Sequence, residues 1–114
     1  MAGLTTHVLD TANGCPAAGM AVCLRDDDGR VLVETRTNAD GRCDGPLLAP
    51  EDMRKGRFVL CFGVAGYYRA KGMVLPEPPF LDVVQISFGI ADAQSHYHVP
   101  LLVSPYGYST YRGS

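Results

Sequence analysis

Asp26-Asp-Asp-Gly-Arg-Val-Leu-Val-Glu-Thr-Arg-Thr37 reads as a tight turn that opens into a strand. Asp28-Gly29 supplies the positive φ of a hairpin turn, because glycine has no Cβ to clash in the left-handed region. After it, Val31, Val33 and Thr35 alternate with Leu32, Glu34 and Arg36. A period of two puts these sets on opposite faces of a strand. The three aspartates invite comparison with a calcium loop. They lack its alternating ligand positions and closing glutamate, so the stretch reads as a solvated turn.

The same pattern extends in both directions. Leu4 to Leu9 and Met20 to Arg25 precede the turn, and Val31 to Thr37 completes the hairpin. Arg57 to Val64, Val83 to Ile90, Tyr97 to Val103 and Tyr106 to Tyr111 follow. Asn13-Gly14, Asp40-Gly41 and Asp44-Gly45-Pro46 are further turn signals. Many short β-rich runs separated by turn residues predict an all-β sandwich. The one plausible helix is Tyr67-Tyr-Arg-Ala-Lys-Gly72, a turn or two closed by the glycine. Leu75-Pro-Glu-Pro-Pro-Phe80 cannot join a ladder and reads as a loop.

Bulk properties narrow the function classes. A chain of 114 residues is expected to form a single domain, 1–114, with one core. Hydrophobic residues at 46% and charged residues at 19% describe a globular chain rather than a disordered one. A net charge of −2 without a basic cluster excludes a nucleic-acid backbone as partner. No apolar run approaches the roughly 20 residues of a membrane span. The start, Met-Ala-Gly-Leu-Thr-Thr-His7, has neither the charged nor the apolar region of a signal peptide, which predicts a cytoplasmic protein. Cys15, Cys23, Cys43 and Cys61 form no Cys-x-x-Cys pair, so they read as reduced and buried.

Candidate chemistry concentrates on histidine. His96 and His98 stand two apart at the start of a strand and share a face, while His7 lies in the first strand. Imidazole suits proton transfer near neutral pH, and three such rings could also fit a zinc site. Each histidine taken singly is as readily structural or merely exposed. Arg42 is either a solvated edge charge or a planar fork for carbonyl oxygens. No nucleophile elbow, phosphate loop or His-Glu-x-x-His pair occurs, so an enzyme built on this chain would use water activated by histidine. The last residues, Tyr111-Arg-Gly-Ser114, place a cation, a glycine, a hydroxyl and a carboxylate after an apolar strand. An ordered sheet would hold those groups at one point.

Three blocks carry a family resemblance. They are Leu4-Thr-Thr-His-Val-Leu-Asp-Thr11, Thr37-Asn-Ala-Asp-Gly-Arg42 and His96-Tyr-His-Val-Pro-Leu-Leu-Val-Ser-Pro-Tyr-Gly-Tyr-Ser-Thr-Tyr-Arg-Gly-Ser114. In order and spacing they resemble the 5-hydroxyisourate hydrolases, transthyretin-like enzymes of urate breakdown. The resemblance implies a transthyretin-like (prealbumin-like) β-sandwich of two four-stranded sheets with one short helix after the fifth strand. It implies a homotetramer, a dimer of dimers, with sites where the dimers meet. It implies hydrolysis of 5-hydroxyisourate to 2-oxo-4-hydroxy-4-carboxy-5-ureidoimidazoline; that chemistry requires neither a cofactor nor a metal, although His7, His96 and His98 could capture zinc. Carried over by position, the catalytic residues are His7, Arg42, His98 and Ser114. The substrate-binding residues are His7, Arg42, Tyr111, Arg112 and Gly113, with His96 as a neighbour. The alternative is a non-catalytic small-ligand carrier on the same fold. The histidine pattern and the Tyr-Arg-Gly-Ser ending favour the enzyme.

Overall fold

The computed structural model describes residues 2–113, so the expectation attached to Ser114 lies outside the described residues. The strands are Gly3–Asp10 (β1), Cys15–Pro16 (β2), Ala21–Asp26 (β3), Val31–Arg36 (β4), Gly56–Gly63 (β5), Val83–Ile90 (β6), His96–Ser104 (β7) and Gly107–Thr110 (β8). One helix, Val64–Ala70 (α1), follows β5. Two four-stranded sheets result, ordered β2-β1-β7-β8 and β4-β3-β5-β6. This is the two-sheet, one-helix sandwich that the residues and the resemblance predict.

Strand alternation builds the core. Leu4 and Val8 of β1 meet Leu101 and Val103 of β7, all fully buried. Leu24, Phe58, Leu60 and Phe62 face them from the other sheet. Removing this apolar surface from water is the main force holding the sheets together. Within the first sheet, β1 and β7 run parallel over eight paired positions, Gly3↔His96 to Asp10↔Val103. Every other strand pairing is antiparallel.

Beyond one-residue shifts at strand ends, two features differ from the sequence reading. Cys15–Pro16 forms a short edge strand that two residues could not announce. The helix begins at Val64 rather than Tyr67, taking the residue expected to end β5. Its buried residues, Val64, Ala65, Tyr67 and Tyr68, follow helical spacing, and tertiary packing of that face sets the start. Gly72, at φ +88°, closes the helix as expected. The cysteines also need correction. All four are free, but only Cys61 is buried; Cys15, Cys23 and Cys43 are half-buried. Cys23 lies on a β3 position that alternation turns away from the core, whereas Cys15 pairs with the inward Asp10 on the short edge strand β2, where one side is left open. No helix among the described residues is long and apolar enough to cross a membrane.

The inward end of β1 carries a charge. Asp10 is 1% exposed and accepts hydrogen bonds from Tyr67 (2.8 Å), Tyr68 (2.7 Å), Asn13 Nδ2 (2.7 Å) and the backbone amides of Ala12 and Asn13. Burial alone would raise its carboxyl pKa, but the bonds from Asn13, Tyr68 and Tyr67 outweigh it and hold the pKa below 3.8. Burial and this carboxylate push both tyrosine pKa values up. Asp10→Ala removes the carboxylate acceptor of the buried Tyr67 hydroxyl and of two turn amides, while the Tyr68 hydroxyl keeps the Val103 carbonyl at 2.9 Å, and should cost about 3 kcal/mol in urea unfolding. The stability from ionised Asp10 is full above its unfolded pKa near 3.8 and is lost as pH falls through the lower folded value. A wild-type-like midpoint for the alanine variant would show that the network contributes nothing.

Candidate active site

The alternation that buries Leu4, Thr6 and Val8 sends Thr5 and His7 to the outer face of β1. In β7 it buries Tyr97, Val99 and Leu101 and sends His96 and His98 to that same outer face. Parallel pairing places Thr5 beside His98, Gly3 beside His96 and His7 beside Pro100. His7 is thus one diagonal step from His98. The three histidines, 91 positions apart at the extremes of the numbering, gather on one patch.

A loop supplies the arginine. Asn38 Oδ1 accepts from the amides of Asp40 (2.9 Å) and Arg42 (3.2 Å), and the Asn38 amide donates to the Arg42 carbonyl (2.7 Å). Gly41 takes φ +76° and its carbonyl accepts from the Val8 amide at 2.8 Å. A Cβ at Gly41 would collide with the Val8 carbonyl, so only glycine lets this turn dock on β1. The docking pairs Arg42 with His7 as an isolated bridge.

Hydrogen bonds decide how the rings are held. His7 Nε2–H donates to the Asp40 carbonyl at 2.9 Å. A carbonyl has no proton to give, so Nε2 carries the proton and the lone pair of neutral His7 sits on Nδ1. His98 Nδ1 lies 2.8 Å from Thr5 Oγ1, and His96 Nε2 lies 3.1 Å from the same oxygen. Burial lowers the His98 pKa below 6.5, and the charges of Arg42, His7 and His96 lower it further. His98 is therefore neutral at neutral pH and able to accept a proton.

The C-terminal tail returns to this patch. Gly113 pairs with His98, its amide donating to the His98 carbonyl at 2.7 Å. The bridge keeps the β7–β8 register, interrupted only at Tyr111 and Arg112. A Cβ on Gly113 would lie 2.6 Å from His98 Cδ2, so the imidazole needs a glycine beside it. Arg112 stacks its guanidinium 4.1 Å above the Tyr97 ring and donates to the His96 carbonyl at 3.2 Å. Tyr111 is 60% exposed and lines a separate groove of about 250 Å³ with Phe88, Tyr97 and Val99.

Of the residues expected in the site, His7, Arg42, His98 and Gly113 come together, with His96 beside them. Arg112 anchors the tail, and the Tyr111 side chain lies apart from the histidines. Sequence reasoning missed Thr5. Its position two residues before His7 already placed it on the same face, but only the β1–β7 register shows that it meets His98. Among the described residues no group of three His, Cys, Asp or Glu side chains is arranged to hold a metal ion.

Residues 4–113 match the HIUase/Transthyretin family. The chain belongs to that family. It is 59% identical to the 5-hydroxyisourate hydrolase of Mesorhizobium japonicum, covering 97% of this chain and 91% of that protein. It is 56% identical to the 5-hydroxyisourate hydrolase of Pseudomonas aeruginosa, covering 100% and 93%. The structure of Klebsiella pneumoniae 5-hydroxyisourate hydrolase superposes with a TM-score of 0.85 at 34% identity, over the whole of both chains. Sea bream transthyretin in complex with thyroxine also gives 0.85, at 25% identity over 97% and 94%. Within the HIUase/Transthyretin family, the sandwich alone therefore does not separate a hydrolase from a ligand carrier.

Proposed function

We propose that this protein hydrolyses 5-hydroxyisourate to 2-oxo-4-hydroxy-4-carboxy-5-ureidoimidazoline. The observation that carries this reading is the gathering of His7, His98 and Arg42 on one face, with His98 held neutral and its Nδ1 already engaged. The product's carboxyl and ureido groups identify the bond broken, a ring amide C–N bond.

His98 Nε2 accepts a proton from water as its oxygen attacks the ring carbonyl. His7, fixed by Asp40, orients that water through Nδ1. Arg42 offers N–H donors to the oxygen where negative charge develops. The tetrahedral adduct collapses, the C–N bond breaks, and the leaving ureido nitrogen takes the proton from His98. Gly113 keeps the tail against His98 while leaving room for the ring. The Tyr111 backbone, Arg112 and Ser114 complete the substrate contacts, and Ser114 assists the proton transfer.

The single domain works within a homotetramer, a dimer of dimers with sites where dimers meet. Exposed aromatic side chains support this: Tyr106, Tyr108 and Tyr111 on or beside β8, and Phe80, whose ring lies tilted against Tyr106 at 6.0 Å. Four free cysteines suit a reducing, cytosolic setting.

The test is the absorbance decay of freshly generated 5-hydroxyisourate with and without the protein. The substrate decays unaided, so the expected result is protein-dependent acceleration above that baseline. A folded protein that leaves the decay unchanged would move the assignment to a small-ligand carrier.

A further inference from the structure

Thr5 Oγ1 sits between two imidazoles, 2.8 Å from His98 Nδ1 and 3.1 Å from His96 Nε2. A hydroxyl has one proton and two lone pairs, so it can donate to only one of these rings. For His98 to accept a proton at Nε2, neutral His98 must already carry one on Nδ1. That Nδ1–H then donates to Thr5, and the Thr5 proton is free for His96 Nε2. The opposite arrangement would leave His98 protonated at Nε2 and useless as a base.

We infer that Thr5 is a positioning residue that holds His98 in its Nδ1–H tautomer and links it to His96 as the outlet of a short proton relay. The register of β1 on β7 builds this contact, since it sets Thr5 directly beside His98. His96 is exposed and opens its strand, so its far nitrogen can exchange with bulk water. His7 cannot serve as the outlet through Nε2, because the Asp40 carbonyl holds the proton there. The groups facing His98 all oppose its charging: Arg42, His7 and His96, with burial contributing most. Arg112, bound to the His96 carbonyl, is the other nearby cation. Passing charge outward from His98 relieves that opposition.

The protons balance along the path. A proton moves from the attacking water to His98 Nε2. The Nδ1 proton moves to Thr5 Oγ1, and the former Thr5 proton moves to His96 Nε2. His98 is neutral again, now with its proton on Nε2, and His96 is an imidazolium. Reversal of the path lets His98 hand its Nε2 proton to the leaving nitrogen while Nδ1 is refilled from Thr5. No oxidant, reductant or further reactant is required.

The tautomer argument and its rate consequence both rest on the hydrolase reading, but NMR reads the tautomer without turnover, so one set of variants separates them. Histidine ¹⁵N NMR and steady-state kinetics would be recorded on the full-length wild type, Thr5→Val and Thr5→Ser. The valine variant keeps the shape and removes the hydroxyl; the serine variant keeps the hydroxyl. The wild type and Thr5→Ser should show His98 protonated on Nδ1, and Thr5→Val should shift it toward Nε2–H. Turnover of Thr5→Val should fall on the order of 10–100-fold with KM unchanged, short of losing the base itself, while Thr5→Ser stays within about threefold. An unchanged His98 tautomer in Thr5→Val, or a serine variant as slow as the valine one, would overturn the inference. A tautomer shift without any wild-type turnover would sink the hydrolase reading and leave Thr5's hold on His98 standing.

Discussion

Replacing His98 with asparagine lowers turnover by about 10²–10⁴-fold, the usual contribution of a positioned base. Asparagine keeps a polar group near the position of Nδ1, within reach of Thr5, but has no basic nitrogen at the position of Nε2. The backbone of residue 98 still accepts from the Gly113 amide, so the tail and the β7–β8 edge stay in place. Far-UV circular dichroism and the oligomeric mass should therefore match the wild type. The pH profile adds a second reading. Neutral His98 is the active form, so activity is present above its pKa and is lost as pH falls through it. Because burial and neighbouring positive charges depress that pKa below 6.5, the acid limb should have its midpoint below 6.5. The residual activity of the variant should lack this limb. Unchanged turnover in His98→Asn would remove His98 from the chemistry.

Removing residues 111–114 abolishes hydrolysis while sparing the fold. The last described strand, β8, ends at Thr110, and the core residues of β7 keep their packing against β1 and the facing sheet without the tail. What disappears is local to the site: the Gly113 bond to the His98 carbonyl and the Arg112 stack on Tyr97. His98 then sits beside an open edge, more hydrated and without the group that closes its patch. Thermal unfolding should shift by only a few degrees, since Arg112 and Tyr111 are exposed. A milder version separates position from mere presence. Gly113→Ala keeps the tail but drives a methyl into the imidazole, 2.6 Å from Cδ2 before relaxation. It should lower activity well below wild type with little change in stability. A fully active truncation would exclude the tail from the reaction.

The two variants probe different origins of the same site. His98 is placed by local alternation, which buries Val99 and Leu101 and turns the even-numbered neighbours outward. The tail is placed by pairing across the sheet, which depends on β8 already lying in register on β7. Arg42 depends on a third device, a turn whose Gly41 has no Cβ to keep it off β1. A defect in any one of these need not disturb the other two.

Much of this was legible in the residues. The alternation from Val31 to Thr35, the Asp-Gly turns and the Pro-rich loop announced the strands, because side-chain period and φ preference are local properties. Shared faces were legible for His96 and His98, since two positions on one strand need no knowledge of a partner. The helix start at Val64 was not. A single buried residue suits a strand or a helix equally, and the packing of Tyr67 and Tyr68 over Asp10 decides between them. The short β2 strand escaped for the same reason, being two residues long and defined only by its partner.

Sequence by itself therefore determined the β-sandwich class, the outward histidines and, through three quoted blocks, the family. Tertiary structure alone decided that β1 lies parallel to β7, which sets Thr5 between His98 and His96 and brings His7 one step away. It also decided that the Asp40 carbonyl takes the His7 Nε2 proton and that Gly113 closes on His98. The physical reason is one of range. Alternation and turn chemistry act within a few residues, whereas strand register is settled by burying apolar surface contributed from opposite ends of the chain.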